Sequence, residues 1–218
     1  MRLSARYAVL LPILALAGAC AKRPPDVAGD EPLSAGEMRI LERLAGQQIV
    51  VFPVQYLTFT DKLGWQQSIA KRADYLAALD DEIAFAMSER GLGRAWVFGS
   101  QLERASRMNS TFVTSARALA AESLRGRVYA EQSVRDPLAS QIRALVGLKG
   151  QRYALLPVEL RMESTNGVGV GVLKVLLIDS RLAKIRWVGE VRSDPMREFS
   201  PALATSLAKH FADLVVPQ

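Results

Sequence analysis

The chain has 218 residues, half of them hydrophobic, with 28 Lys and Arg against 22 Asp and Glu for a formal charge of +6. That length and apolar content exclude a disordered chain and provide for a substantial core. A single cysteine, Cys20, and a single histidine, His210, exclude an internal disulfide framework, a cysteine-based zinc cluster and a multi-histidine metal site, and argue against a histidine-dependent triad.

The N-terminus predicts export and lipidation. Arg2 and Arg6 form a positive n-region, Tyr7–Leu16 an apolar h-region, and the small residues Ala17-Gly18-Ala19 lead into Cys20. A cysteine placed so resembles a bacterial lipobox, in which cleavage leaves the cysteine to carry the lipid. Leu16 stands one position further out than the leucine of the usual box. Cleavage before Cys20 removes two arginines and no acid, taking the charge from +6 to +4. In an exported protein that modest basic balance points to surface, anionic lipid or cell wall, and not to nucleic acid. Ala21–Leu33 holds Pro24, Pro25, Gly29 and Pro32 among acids and reads as a tether. The expected organisation is a signal peptide over 1–19, a tether over 20–33 and one α/β domain over 34–218.

Ser34 and Glu37 fit a capping box, so a short helix is expected over Ala35–Ala45. Ile49–Val54 is a short β-branched apolar run, read as a buried strand whose pairing on one side ends at Pro53. Gln55–Gly64 reads as a loop exposing Tyr56 and Phe59. Trp65–Arg90 reads as a long helix with Ile69, Ala73, Leu76, Ile83 and Met87 on one stripe, stopped by Gly91. Ala95–Phe98 is a second short strand. Leu102, Ala105 and Met108 suggest one helical turn, and Val113, Ala116, Leu119, Ala120 and Leu124 a second helix. Asp136-Pro137 opens a helix through Leu145, and Ser200-Pro201 repeats the device before Leu203, Leu207, Phe211 and Leu214. Between them lie three strands, Tyr153–Met162, Val168–Asp179 and Lys184–Arg192, separated by turn-forming residues. The order predicts an α/β (α+β) fold, a mixed sheet of about five strands with helices packed against it. Leu76, Ile83, Val175, Leu177, Trp187, Leu207 and Phe211 should share its core.

Few residues suggest chemistry. Gly167-Val168-Gly169-Val170-Gly171 is not a phosphate loop, because β-branched residues continue on both sides where a helix would have to begin. Glycines that admit a bend or bulge are the better reading. Asp74, Asp80, Asp81 and Glu82 read as a solvated helix face, and His210 as a helix-boundary residue. Ser100, Ser106 and Ser110 lack a nucleophile-elbow frame. Trp96 and Trp187 belong to strands and to the core. No catalytic residues, metal ligands or cofactor are expected.

In its layout the chain resembles the CsgG, LpoB and TolB-amino-terminal group of bacterial envelope proteins. An apolar strand ending in Pro53 precedes a long helix ending in Gly91. Gly150–Val158 and the pair Val175–Arg181 and Lys184–Trp187 are similar to the later strands of that group, although Leu182-Ala183 stands where a Thr-Gly turn is usual. The resemblance spans roughly 49–215 and implies a fold like the anticodon-binding domain, an outer-membrane location on the periplasmic face, and no catalytic residues. It implies a membrane-anchored, non-catalytic interaction or adaptor module of envelope assembly with an envelope protein partner. The alternative is an oligomeric subunit of an outer-membrane secretion or transport complex. If the first two strands run parallel, the loops after them emerge at one end. Tyr56, Phe59, Trp65, Arg104 and Arg107 would then form an aromatic–basic patch for an acidic partner or anionic glycan.

Overall fold

A computed structural model describes residues 41–217. The expected signal peptide, Cys20, the tether and most of the helix expected over 35–45 lie outside the described residues; Leu41 and Leu44, at its end, are buried. Among the described residues, four named α-helices and a mixed five-stranded sheet give an α+β fold. The strands are β1 (Ile49–Val51), β2 (Tyr56–Phe59), β3 (Tyr153–Thr165), β4 (Val168–Asp179) and β5 (Lys184–Arg192). The helices are α1 (Arg72–Glu89), α2 (Gly99–Met108), α3 (Leu138–Gly147) and α4 (Ala202–Asp213).

The expected meander is the centre of the sheet. β3, β4 and β5 pair antiparallel in sequence order, and Asn166 and Gly167, both with positive φ, form the two-residue turn between β3 and β4. β1 and β2 pair parallel to the other edge of β3, one after the other along it. The gap between them holds Pro53, opposite Pro157 of β3, where the register also shifts. Proline has no N–H to give a ladder, so pairing on this edge breaks off at Pro53 and resumes at β2, while β3 runs on through Pro157, paired with Val175 of β4. The shift changes which residues face which layer: Ile49, Val51 and Leu155 share a core with Leu57, Leu160 and Met162.

Two hydrophobic cores flank the sheet. On one face α1 contributes Leu76, Leu79, Ile83 and Met87, and α4 contributes Leu203, Leu207 and Phe211, each at helical spacing. All seven residues expected to share a core are in this cluster. On the other face Leu102 of α2 and Leu138, Ile142 and Leu145 of α3 cover Leu156, Leu176 and Ile178. Burying apolar surface on both faces is what holds the layers together.

Four expectations need correction. Tyr56–Phe59 is a strand and not a loop, because the pairing broken at Pro53 resumes along β3. The long helix begins at Arg72; Trp65–Ser68 is a separate 3-10 turn. Ala95–Phe98 makes a single parallel bridge, Val97 to Val50, and is not a full strand. The helix expected around Val113–Leu124 is absent. That segment is irregular apart from a 3-10 turn at Glu122–Leu124, and its buried Ala116, Leu119, Ala121 and Leu124 fill the second core.

Candidate interaction surface

The structure divides the residues expected to form one patch. Tyr56 and Phe59 stand three positions apart on β2, so strand alternation sends them to opposite faces of the sheet. Tyr56 is half-buried on the side of the second core, with the Arg125 guanidinium 5.0 Å over its ring. Burial, followed by the Glu122 carboxylate, pushes its phenol above the usual range. Phe59 packs against the first core under Arg72, at 5.3 Å. Trp65 is 2% exposed, contrary to the expectation of an exposed loop aromatic. Its ring meets Phe199 edge-on at 5.8 Å and lies over Gly169, where a Cβ would come within 2.3 Å of it. One glycine of the Gly167–Gly171 run is thus the floor of the Trp65 slot. Arg104 and Arg107 are exposed on α2.

α2 organises the surface that remains. It buries Gly99, Leu102 and Ser106 and turns Ser100, Gln101, Arg104, Arg107 and Met108 to solvent. At its end Asn109 Nδ2 donates to the Ala105 carbonyl at 2.8 Å. The Phe112 and Val113 N–H groups both donate to the Asn109 carbonyl, at 2.9 and 3.1 Å. This tight turn leaves Phe112 84% and Met108 81% exposed, the highest among the described large hydrophobics. The other strongly exposed ones, Phe85, Tyr129 and Leu182, lie on separate elements. Met108 was expected on the stripe of Leu102 and Ala105. Helical rotation carries it about 120° away from Leu102, which puts it outside.

The irregular segment after α2 is pinned by polar side chains. The Glu103 carboxylate accepts from Ser115 Oγ at 3.1 and 3.2 Å and from the Arg117 N–H at 3.3 Å. Ser106 Oγ accepts the Ala116 N–H at 3.3 Å. Gln55, in the gap between β1 and β2, donates to the Ala116 carbonyl at 2.9 Å and accepts the Leu119 N–H at 3.2 Å. Arg117 Nη1 reaches Asp80 Oδ2 of α1 at 2.7 Å. These contacts supply partners that a helix would otherwise provide, so the turn bearing Phe112 sits on a fixed base.

Asp80 was expected on a solvated face with Asp74, Asp81 and Glu82. Asp74 and Asp81 are exposed, but Asp80 is 4% exposed. It falls between Leu76 and Ile83 at helical spacing, a signal the charge pattern obscured. Its Oδ1 accepts the Val54 N–H at 2.9 Å. Its Oδ2 faces the Arg117 guanidinium in an ion pair. Burial dominates and pushes the carboxyl up to about 7 against the pull of Val54 and Arg117. A second buried carboxylate, Glu159, accepts from Thr58 Oγ1 at 3.0 Å and from Arg125 at 2.7 and 2.9 Å.

Around His210 the arrangement is structural. Ser206 Oγ donates to Asp194 Oδ2 at 2.9 Å and accepts the Asp194 N–H at 2.8 Å. His210 Nδ1 is 2.6 Å from the Arg192 carbonyl, and Nε2 is 3.7 Å from Asp194 Oδ1. The carboxylate, and not the imidazole, accepts the serine hydrogen bond, which is the wrong order for a nucleophilic triad. Among the described residues no three His, Cys, Asp or Glu side chains gather to hold a metal, and no helix is long and apolar enough to cross a membrane.

Solved structures match the chain at low identity and low TM-score. The LpoB C-terminal domain from Salmonella enterica is 16% identical, with 72% of this chain and 95% of that one covered at a TM-score of 0.35. The PelC dodecamer from Paraburkholderia phytofirmans is 11% identical, with 80% and 91% covered at 0.38. Lipoprotein GNA1162 from Neisseria meningitidis is 20% identical, with 77% and 96% covered at 0.34. LpoB is one of the names in the group that the sequence resembles. No family model and no curated protein matches the chain.

Proposed function

We propose that this chain is a lipid-anchored protein of the cell envelope, held at the periplasmic face of the outer membrane, that works by contact and not by catalysis. The observation that carries the reading is Cys20: the only cysteine stands directly after a positively charged, apolar and then small-residue leader. The Pro-rich stretch that follows supplies a tether to a domain built around recognition. Of the residues expected to bind a partner, Arg104 and Arg107 stand exposed on α2, joined by Met108 and Phe112. Tyr56, Phe59 and Trp65 support the scaffold beneath. The serine–carboxylate–histidine order around Asp194 supports a non-catalytic role.

The test is fractionation with mass measurement. The wild-type chain should be recovered with membranes, carrying diacylglyceryl and amide-linked acyl mass on Cys20. Cys20→Ala should be soluble or unprocessed. A wild-type chain that is soluble and unmodified would refute the anchor. One acyl chain gives only marginal binding, so retention requires the multiple chains expected of such a modification.

A further inference from the structure

We infer that the α2 surface, Arg104, Arg107, Met108 and the Phe112 turn, docks on an anionic lipid bilayer and so orients the anchored domain; this rests on the reading of the chain as membrane-anchored. Arg104, Arg107 and Met108 are spaced i, i+3 and i+4, which puts both guanidinium groups and the thioether on one helical face. Phe112 follows within the Asn109 turn. The two large apolar side chains are 81% and 84% exposed.

The charge along this stretch is mostly basic. From Ser100 to Ala120 the only acid is Glu103, and its carboxylate is taken by Ser115, Ser106 and the Arg117 N–H. Arg117 is in turn paired with Asp80. Arg104 and Arg107 have no ion-pair partner among the described residues. Basic side chains beside exposed aromatic and aliphatic groups suit the boundary between lipid headgroups and acyl chains. An apolar protein groove is a poorer match, because the patch carries two arginines with no ion-pair partner among the described residues.

Two arginines and two apolar side chains bind a bilayer weakly in free solution. Tethering changes this by raising the effective concentration of the surface at the membrane. From Cys20 to Leu33 a fully extended tether would span about 45 Å. The pinned loop base matters here, since a turn already held by Glu103, Gln55 and Asp80 loses little freedom on docking.

The experiment uses the full lipidated chain reconstituted in vesicles, with an environment-sensitive fluorophore attached through Ser110→Cys, the acylated Cys20 being blocked to labelling. Vesicles are phosphatidylcholine alone, or phosphatidylcholine and phosphatidylglycerol at about 7:3. We expect blue-shifted emission and quenching by acyl-chain nitroxide lipids only when phosphatidylglycerol is present. The shift should weaken as the Debye length falls from about 10 Å at 0.1 M salt to about 3 Å at 1 M. Arg104→Glu with Arg107→Glu should abolish the shift, and Phe112→Ser should abolish the quenching, with unchanged far-ultraviolet circular dichroism. An anchored chain whose probe reports water in both lipids overturns the inference and leaves the anchor intact. Shielding that follows protein density and ignores lipid charge overturns it in favour of a protein contact, including a second copy. A chain that does not stay with the vesicles overturns the anchored reading itself.

Discussion

The buried carboxyl of Asp80 should make folding stability depend on pH in a direction opposite to that of an ordinary paired carboxylate. Burial raises it from 3.8 to about 7 in the folded protein. Between those values the folded state holds a proton that the unfolded chain has released. The contribution is therefore fully present below about pH 3.8 and is lost as pH rises through 7. Roughly three pH units at about 1.4 kcal/mol each give about 4 kcal/mol across the interval. Asp136 and Asp179 do not mask the effect: their carboxyls are lowered, so their contribution is lost only as pH falls below the ordinary carboxylate range. The assay is urea unfolding of wild type and Asp80→Asn between about pH 5 and 8. The amide oxygen can still accept from Val54 but the side chain cannot ionise, so the variant should lose most of the slope. Parallel profiles for the two proteins would refute the reasoning.

Gly169→Ala should destabilise by about 1–3 kcal/mol in chemical denaturation, because the new methyl would sit 2.3 Å from the buried Trp65 ring and outweigh the lower chain entropy of alanine. Shortening the ring in the double variant Trp65→Leu with Gly169→Ala should make the two changes non-additive; strict additivity would mean that they do not touch. Phe211→Ala, at 1% exposure, should cost about 3–5 kcal/mol, whereas Phe112→Ser, at 84%, should stay within about 0.5, both read by urea midpoints. Arg125→Ala strands the buried Glu159 and should cost about 2 kcal/mol, less than the ~3–5 of a fully buried pair because Arg125 is itself about one-third exposed; Arg125→Lys should restore only part of it.

The sequence by itself determined the elements whose residues face one environment along their whole length. The meander was legible because Tyr153–Met162, Val168–Asp179 and Lys184–Arg192 are long, apolar and separated by turn residues. α4 was legible because Leu203, Leu207 and Phe211 keep one helical stripe, and α3 because Asp136 and Pro137 mark its start. Gly91, in the left-handed region at φ 82°, marked the end of α1. Tertiary structure alone decided the rest. β2 is a strand only because β3 offers it an edge beyond the break at Pro53, and a pairing partner a hundred residues away leaves no local signal. Trp65 is buried because Gly169 opens a slot in a neighbouring strand. The segment through Ala116, Leu119 and Leu124 has helix-like spacing but buries the same side chains in an irregular path. Its backbone groups find partners in Gln55, Glu103 and Ser106, which lie far away in sequence or on α2. The candidate surface shares that origin: Arg104 and Arg107 were visible as charges, but only the turn at Asn109 and the pinned loop behind it set Met108 and Phe112 beside them in solvent.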